Sequence, residues 1–200
     1  FVRAGVAGIH IEDQPFPKRC GFVKGKEVIP LEEAVGKYRA AVDAKNEIDP
    51  DFVIIARTDA DEISVDEVIE RCNLFMEAGA DLVMPLIIKV NGRNRRDVST
   101  EELLEVHRRI CREIPGPKLG LALPPEVTIK EIEALGYKIY LHTTDSLQAA
   151  TAAMFEVIGE LRKTGSTKGY FDRHPRLDPA TYAGLLRTSE WVELDKKYVP

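Results

Sequence analysis

The chain predicts an α/β fold assembled from parallel strand–helix units. Two observations carry that expectation. Short apolar runs alternate with amphipathic segments along most of the 200 residues, and the same helix-to-strand junction recurs. Ala4-Gly5-Val6, Ala78-Gly79-Ala80 and Leu135-Gly136-Tyr137 each place glycine where a helix stops and a strand begins. Glycine serves there because it enters the left-handed region without a Cβ clash. Strands that alternate with helices in this way run parallel.

The elements follow in order. The apolar stretch 6–11, entered from a helix end at Gly5, predicts the first strand. Pro30 opens a helix over 31–46, and Pro50 precedes a strand at 52–56. Ser64, with Glu67 three residues on, caps a helix over 64–78, and a strand follows at 81–86. Ser99 or Thr100 starts a helix over 99–114, ahead of a strand at 118–123. A helix at 128–135, a strand at 138–142 and a helix at 145–164 complete five β/α units. Residues 1–164 thus form the β/α part. Residues 165–200 read as a linker, with Gly165, Gly169, Pro175 and Pro179, then a helical tail bearing Leu185, Leu186, Trp191, Leu194 and Tyr198.

Composition sets bounds on function. A content of 44% hydrophobic and 30% charged residues is that of an ordinary soluble globular protein. A net charge of −5 argues against general nucleic-acid binding. No apolar run approaches the roughly 20 residues that span a bilayer, so no membrane association is expected. Three scattered cysteines, Cys20, Cys72 and Cys111, make neither a disulfide framework nor a Cys-rich zinc site. A reducing, cytoplasmic-type compartment is the expectation. The chain begins at Phe1 without methionine or visible leader, which reads as the C-terminal part of a longer protein.

The chemistry concentrates in Gly8-Ile-His-Ile-Glu-Asp-Gln14 and Lys18-Arg-Cys-Gly21. Glu12 stands where the first strand gives way to a loop, a position from which a carboxylate can hold a hard cation such as Mg2+, with Mn2+ as a substitute. Asp13 reads as a loop cap. Cys20 lies beside Lys18 and Arg19, whose positive field favours a thiolate and an acid/base role. Gly21 lets backbone approach a substrate carboxylate and donate its N–H. Arg57 ends the second strand, where its planar fork matches a carboxylate; pairing with Asp59 or Asp61 is the structural alternative. His142, at the end of the fifth strand, is a candidate substrate contact. His10, between Ile9 and Ile11, reads as a core histidine, His107 and His174 as surface residues, Cys72 and Cys111 as packing, and Arg93-Asn-Arg-Arg96 as a solvated loop.

GIHIEDQ, KRCG and Ile55-Ala-Arg-Thr-Asp-Ala60 together resemble the core motifs of the isocitrate lyase / phosphoenolpyruvate mutase superfamily, in order and spacing from residue 1 to about residue 85. KRCG is closest to its C–C lyases, of the 2-methylisocitrate and 2,3-dimethylmalate type. The resemblance implies a (β/α)8 TIM-type barrel of which this chain supplies about the last five units, since a whole barrel takes about 250 residues. It also implies Mg2+ shared by Glu12 with upstream aspartates, a small carboxylate substrate, and a homo-oligomer, dimer or tetramer, joined through C-terminal helices. The expected reaction is Mg2+-dependent cleavage of a 2-hydroxy di- or tricarboxylate, with Cys20 as acid/base, Lys18 and Arg19 offsetting its charge, and Gly21 and Arg57 holding carboxylates. Phe22, Leu86 and the apolar run 119–123 depart from the lyase pattern, which has polar residues there. They predict a more apolar pocket beyond the metal. They also keep open a phosphonopyruvate mutase or hydrolase, an oxaloacetate-type decarboxylase, or an inactive assembly partner.

Overall fold

A computed structural model describes residues 1–199 of the chain. The chain divides into two compact units, Phe1–Thr143 and the segment from Thr144 onward. The strands of the first unit are β1 (Gly8–Glu12), β2 (Val53–Thr58), β3 (Leu82–Pro85), β4 (Lys89–Val90), β5 (Arg93–Asn94), β6 (Leu119–Leu121) and β7 (Ile139–Leu141). Its helices are α1 (Leu31–Ile48), α2 (Val65–Glu77), α3 (Thr100–Glu113) and α4 (Ile129–Leu135).

Five strands run parallel in chain order. β1, β2 and β3 form one sheet and β6 pairs with β7, while a parallel bridge between Val83 and Lys118 joins the two groups. Among the described residues the strands do not close into a ring. The helix starts are made as the sequence predicts. Ser64 accepts from the Glu67 N–H at 3.0 Å, Ser99 from that of Glu102 at 3.1 Å, and Thr128 makes a reciprocal capping box with Glu131. Gly136 ends α4 at φ 109°, a conformation that a Cβ would strain.

The sheet separates two environments, as strand alternation requires. Ile9, Ile11, Ile54, Ala56 and Val83 face the helices, packing with Tyr38, Val68, Phe75, Leu103 and Ile110 in the main core. The other face carries His10, Glu12 and Arg57, where the register sets Glu12 beside Arg57, and is apolar from Ile55 onward across the sheet. There Met84, Leu86, Ile88, Leu119 and Leu121 form a second cluster. Tyr38 ties the helix layer to the site end of the sheet: its hydroxyl lies 2.9 Å from the carbonyl oxygens of both Ile11 and Arg57.

Several expectations need correcting. The run 118–123 is not one strand: β6 stops at Leu121 because Ala122 takes a left-handed conformation, φ 66°. Its carbonyl accepts from Arg95, and the Leu123 N–H donates to the Tyr140 hydroxyl at 2.7 Å. The reversal leaves Leu121 in the second cluster but turns Leu123 into the main core. The basic run is also more than a solvated loop, since Arg93 and Asn94 form β5 against β4 and Arg93 pairs with Glu102. His10 is exposed rather than a core residue.

His107 is buried, not a surface residue, with Nδ1 2.5 Å from the Tyr137 hydroxyl. Burial, and secondarily the charge of Arg95, depress its pKa to about 4 from 6.5. The unfolded chain takes up this proton below pH 6.5 and the folded chain only near pH 4, so stability falls as pH drops through that window. The shift corresponds to roughly 3 kcal/mol. Urea denaturation at pH 7 and pH 4.5 is expected to show this loss, and His107→Leu to reduce the difference; an undiminished difference in the variant would assign it elsewhere.

The second unit holds α5 (Asp145–Thr164), α6 (Lys168–Arg173), α7 (Pro179–Leu185) and α8 (Thr188–Tyr198). α5, the last helix of the expected β/α series, groups with the helices that follow it. The segment read as a linker contains α6. Its arginine, Arg173, binds Glu156 and Glu160 of α5 at 3.0 Å each, and the Tyr170 N–H donates to Glu160 at 2.8 Å. Gly169 permits that approach, because a Cβ there would lie 2.4 Å from the Glu160 carboxylate.

Candidate active site

The carboxyl ends of β1 and β2 carry a connected set of charged groups. Glu12 accepts from Lys18 and from Gln14 Nε2 at 3.0 Å, and forms an ion pair with Arg57 Nη2 at 2.9 Å. Arg57 is held from its other side by Asp59, through Nε at 2.9 Å and Nη2 at 3.2 Å, which fixes the plane of its fork. Burial works to lower the Arg57 pKa, but bonding to Asp59, then the charges of Asp59, Glu12 and Cys20, leave it raised. Beside this group a pocket of about 200 Å³ is lined by His10, Glu12, Gln14, Pro15, Phe16 and Lys18. The His10 pKa is lowered, first by desolvation and then by the charge of Arg57.

The loop after β1 lies on this group. Gly21 is buried, and a Cβ added there would stand 2.3 Å from Leu86 Cδ2 and 2.8 Å from both Arg57 Nη2 and Asp59 Oδ2. Only glycine allows the backbone to settle that closely on the Arg57–Asp59 pair. Cys20, immediately before it, is exposed. Lys18 reaches Glu12, while the Arg19 guanidinium lies against Gly25 within the loop. The structure therefore brings together Glu12, Lys18, Gly21 and Arg57, with Cys20 at the rim. His142 follows β7 at the far end of the strand order and stacks edge-on against Tyr140, ring centroids 5.1 Å apart.

Four residues that sequence reasoning underrated build the floor of the site. Asp13 is not a loop cap. Its side chain is fully buried and accepts from Thr58 Oγ1 at 2.7 Å, the Asp59 N–H at 3.1 Å and Arg71 Nη1 at 3.1 Å. Burial raises its pKa, and these bonds oppose the rise. Gln14 bridges Glu12 and Asp59 and accepts the Arg19 N–H at 2.8 Å. Asp59 orients Arg57. Lys26, from the loop, pairs with Asp61 beneath. The available signal was the acidic alternation in Arg57-Thr-Asp-Ala-Asp61 directly after a strand, where solvated acids would have no reason to alternate with apolar residues.

This geometry accompanies a match of residues 1–162 to the family model described as phosphoenolpyruvate phosphomutase. The chain belongs to that family. It is 38% identical over 177 residues to the 2,3-dimethylmalate lyase of Eubacterium barkeri, covering 86% of this chain and 56% of that protein. Among solved structures it is similar to oxaloacetate acetylhydrolase in complex with 3,3-difluorooxalacetate, at TM-score 0.75 and 30% identity, covering 98% of this chain and 62% of that one. Phosphonopyruvate hydrolase with oxalate and Mg2+ superposes equally, at TM-score 0.75 and 25% identity, over 100% of this chain and 65% of that one. The chain spans little more than half the length of the curated relatives it matches. No helix among the described residues is long and apolar enough to cross a membrane.

Proposed function

We propose that the protein carrying this chain is a Mg2+-dependent C–C lyase that cleaves a 2-hydroxy di- or tricarboxylate of the alkylmalate or methylisocitrate type. The carrying observation is the loop seating: Gly21 rests on the Arg57–Asp59 fork, next to Glu12, and so holds Cys20 at the mouth of the site. The similarity to a dimethylmalate lyase supports the same reading. In it, the five parallel units are about the last five of a (β/α)8 barrel. The C-terminal helices, with Trp191, Leu185 and Tyr198 largely exposed, join copies into a dimer or tetramer. The compartment is cytoplasmic or otherwise reducing.

Among the described residues no three His, Cys, Asp or Glu side chains converge as a metal cage. Mg2+ needs no such cage, because it keeps waters and takes one or two carboxylates plus substrate oxygens. The hard oxygens of Glu12 fit that role once Lys18, which occupies Oε2 from the exposed side, gives way to the ion. Bound there, the ion would supply positive charge to the α-oxygen and carboxylate of the keto-acid half. Arg57 and the Gly21 N–H hold carboxylates. The 2-hydroxyl proton passes to solvent water, the O–H electron pair closes the C2 keto group as C2–C3 breaks, and the C2–C3 pair remains on C3 as the enolate of the departing carboxylate. The Cys20 thiol gives its proton to that carbon. Lys18 and Arg19 offset the resulting sulfur charge.

The buried apolar cluster of Met84, Leu86, Leu119 and Leu121 makes the face next to the charged group poor in polar contacts. It favours alkyl-substituted acids over isocitrate by tens- to hundreds-fold, the scale of one methyl or methylene. The same cluster favours, as a second reading, a phosphonopyruvate mutase or hydrolase or an oxaloacetate-type decarboxylase. Keto-acid release from alkylmalates, methylisocitrate, isocitrate, oxaloacetate and phosphonopyruvate separates these: isocitrate as best substrate refutes the pocket argument, and phosphate release from phosphonopyruvate refutes the lyase.

Arg57→Lys is expected to weaken pyruvate, succinate and oxalate by about 1.5–3 kcal/mol, since an ammonium cannot reproduce the fork. Isothermal titration of each acid into both proteins checks this. Unchanged affinities would make Arg57 a structural partner of Asp59.

A further inference from the structure

The loop that carries Cys20 has its large apolar side chains outward: Phe16 is 96% exposed, Phe22 47% and Val23 55%. Apolar packing fastens only its end, at Val28 and Ile29, so between Pro15 and Lys26 its attachment falls on polar pins. Two are at its start, the Arg19 N–H donating to Gln14 and the half-exposed Lys18 pairing with Glu12. The third is Lys26, whose fully buried ammonium pairs with Asp61 and lies 3.9 Å from Asp59. Asp61 also accepts the Ile88 N–H at 2.7 Å and the Lys89 N–H at 2.8 Å. One buried ion pair thus ties together the loop after β1, the turn after β2 and, through the Asp61 carboxylate, the segment after β3. The second neighbour of Lys26, Asp59, is the residue that holds Arg57. A buried ion pair contributes little net stability compared with apolar packing, but it fixes geometry tightly, and removing one partner leaves a charge stranded.

We propose that Lys26 and Asp61 are positioning residues whose buried pair holds the Cys20 loop in register over the Arg57–Asp59 fork. The catalytic half of this inference rests on the lyase reading; the loop half does not. Asp61→Asn keeps the side chain's volume and an acceptor for the Ile88 and Lys89 N–H groups but removes the charge facing Lys26. Native-state trypsin digestion of the whole protein reads the loop directly, through cleavage after Lys18, Arg19 and Lys24, with cleavage after buried Arg71 reporting global loosening. In Asp61→Asn we expect loop cleavage to rise at least tenfold with Arg71 cleavage unchanged. The kcat on the best 2-hydroxy acid should fall at least tenfold, while the oxalate Kd stays within threefold because Arg57 keeps Asp59. Lys26→Arg, which conserves the charge, should retain most of the wild-type protection and kcat. If Asp61→Asn yields no folded protein, Lys26→Met carries the same test. Unchanged loop cleavage, an equal rise at Arg71, or raised loop cleavage with normal kcat would each overturn the proposal. Absence of turnover in the wild type would refute the lyase reading, and the digestion result would still decide whether the pair anchors the loop.

Discussion

Replacing Cys20 with serine is expected to lower kcat by about 10²–10⁴-fold, the usual contribution of a positioned acid/base, and by more if the loop no longer seals. Serine nearly matches the thiol in shape but is far less acidic, so the loss falls on proton delivery rather than on binding. Affinity for oxalate in the presence of Mg2+ should change little, because Arg57 and Glu12 are held by Asp59 and Gln14 and not by the cysteine. Steady-state kinetics with matched calorimetric titration checks both halves. Activity within tenfold of wild type would move the acid/base elsewhere and strengthen the phosphonate or decarboxylase reading.

Asp13→Ala should cause a large loss of stability. The substitution removes the acceptor of three buried donors, the Thr58 hydroxyl, the Asp59 N–H and Arg71. It also leaves the Arg71 guanidinium, 4% exposed, with only Glu67 and the Ile29 carbonyl oxygen of its present contacts. Breaking a buried pair on one side costs about 3–5 kcal/mol. The lower part of that range is expected, because burial already raises the Asp13 pKa and so disfavours its charge in the native protein. Urea denaturation of the two proteins measures the difference. A loss below about 1 kcal/mol would return Asp13 to the status of a loop residue.

What the sequence revealed and what it hid divide along a physical line. Element order was legible because glycine stops and Ser/Thr caps act within three or four residues, and those local signals match the helix ends found at Ser64, Ser99 and Gly136. Glu12 and Arg57 were legible as charges at strand ends, and the register then set them side by side. The polar floor was not legible. Nothing local distinguishes Asp13 from a solvated loop acid, because its partner Arg71 lies 58 residues away on α2. Lys26 and Asp61 are likewise 35 residues apart. His107 and His10 were assigned to the wrong environments because a single histidine on an amphipathic element carries no clue to its face. Ala122 hid the end of β6, since its left-handed conformation is sustained by Arg95 and Tyr140 from other elements, not by its own side chain.

The proposed mechanism has Cys20 deliver a proton to the carbon released when C2–C3 breaks. It is tested most directly by running the reaction with an alkylmalate in D2O and examining the carboxylate product by NMR. Keto acid and carboxylate are expected in equal amounts, with one solvent deuterium at the carbon next to the carboxylate and near-complete loss of the reaction in Cys20→Ser. Deuterium-bearing product formed at an undiminished rate by Cys20→Ser, or no carbon–carbon cleavage of any 2-hydroxy acid by the whole protein, would contradict it.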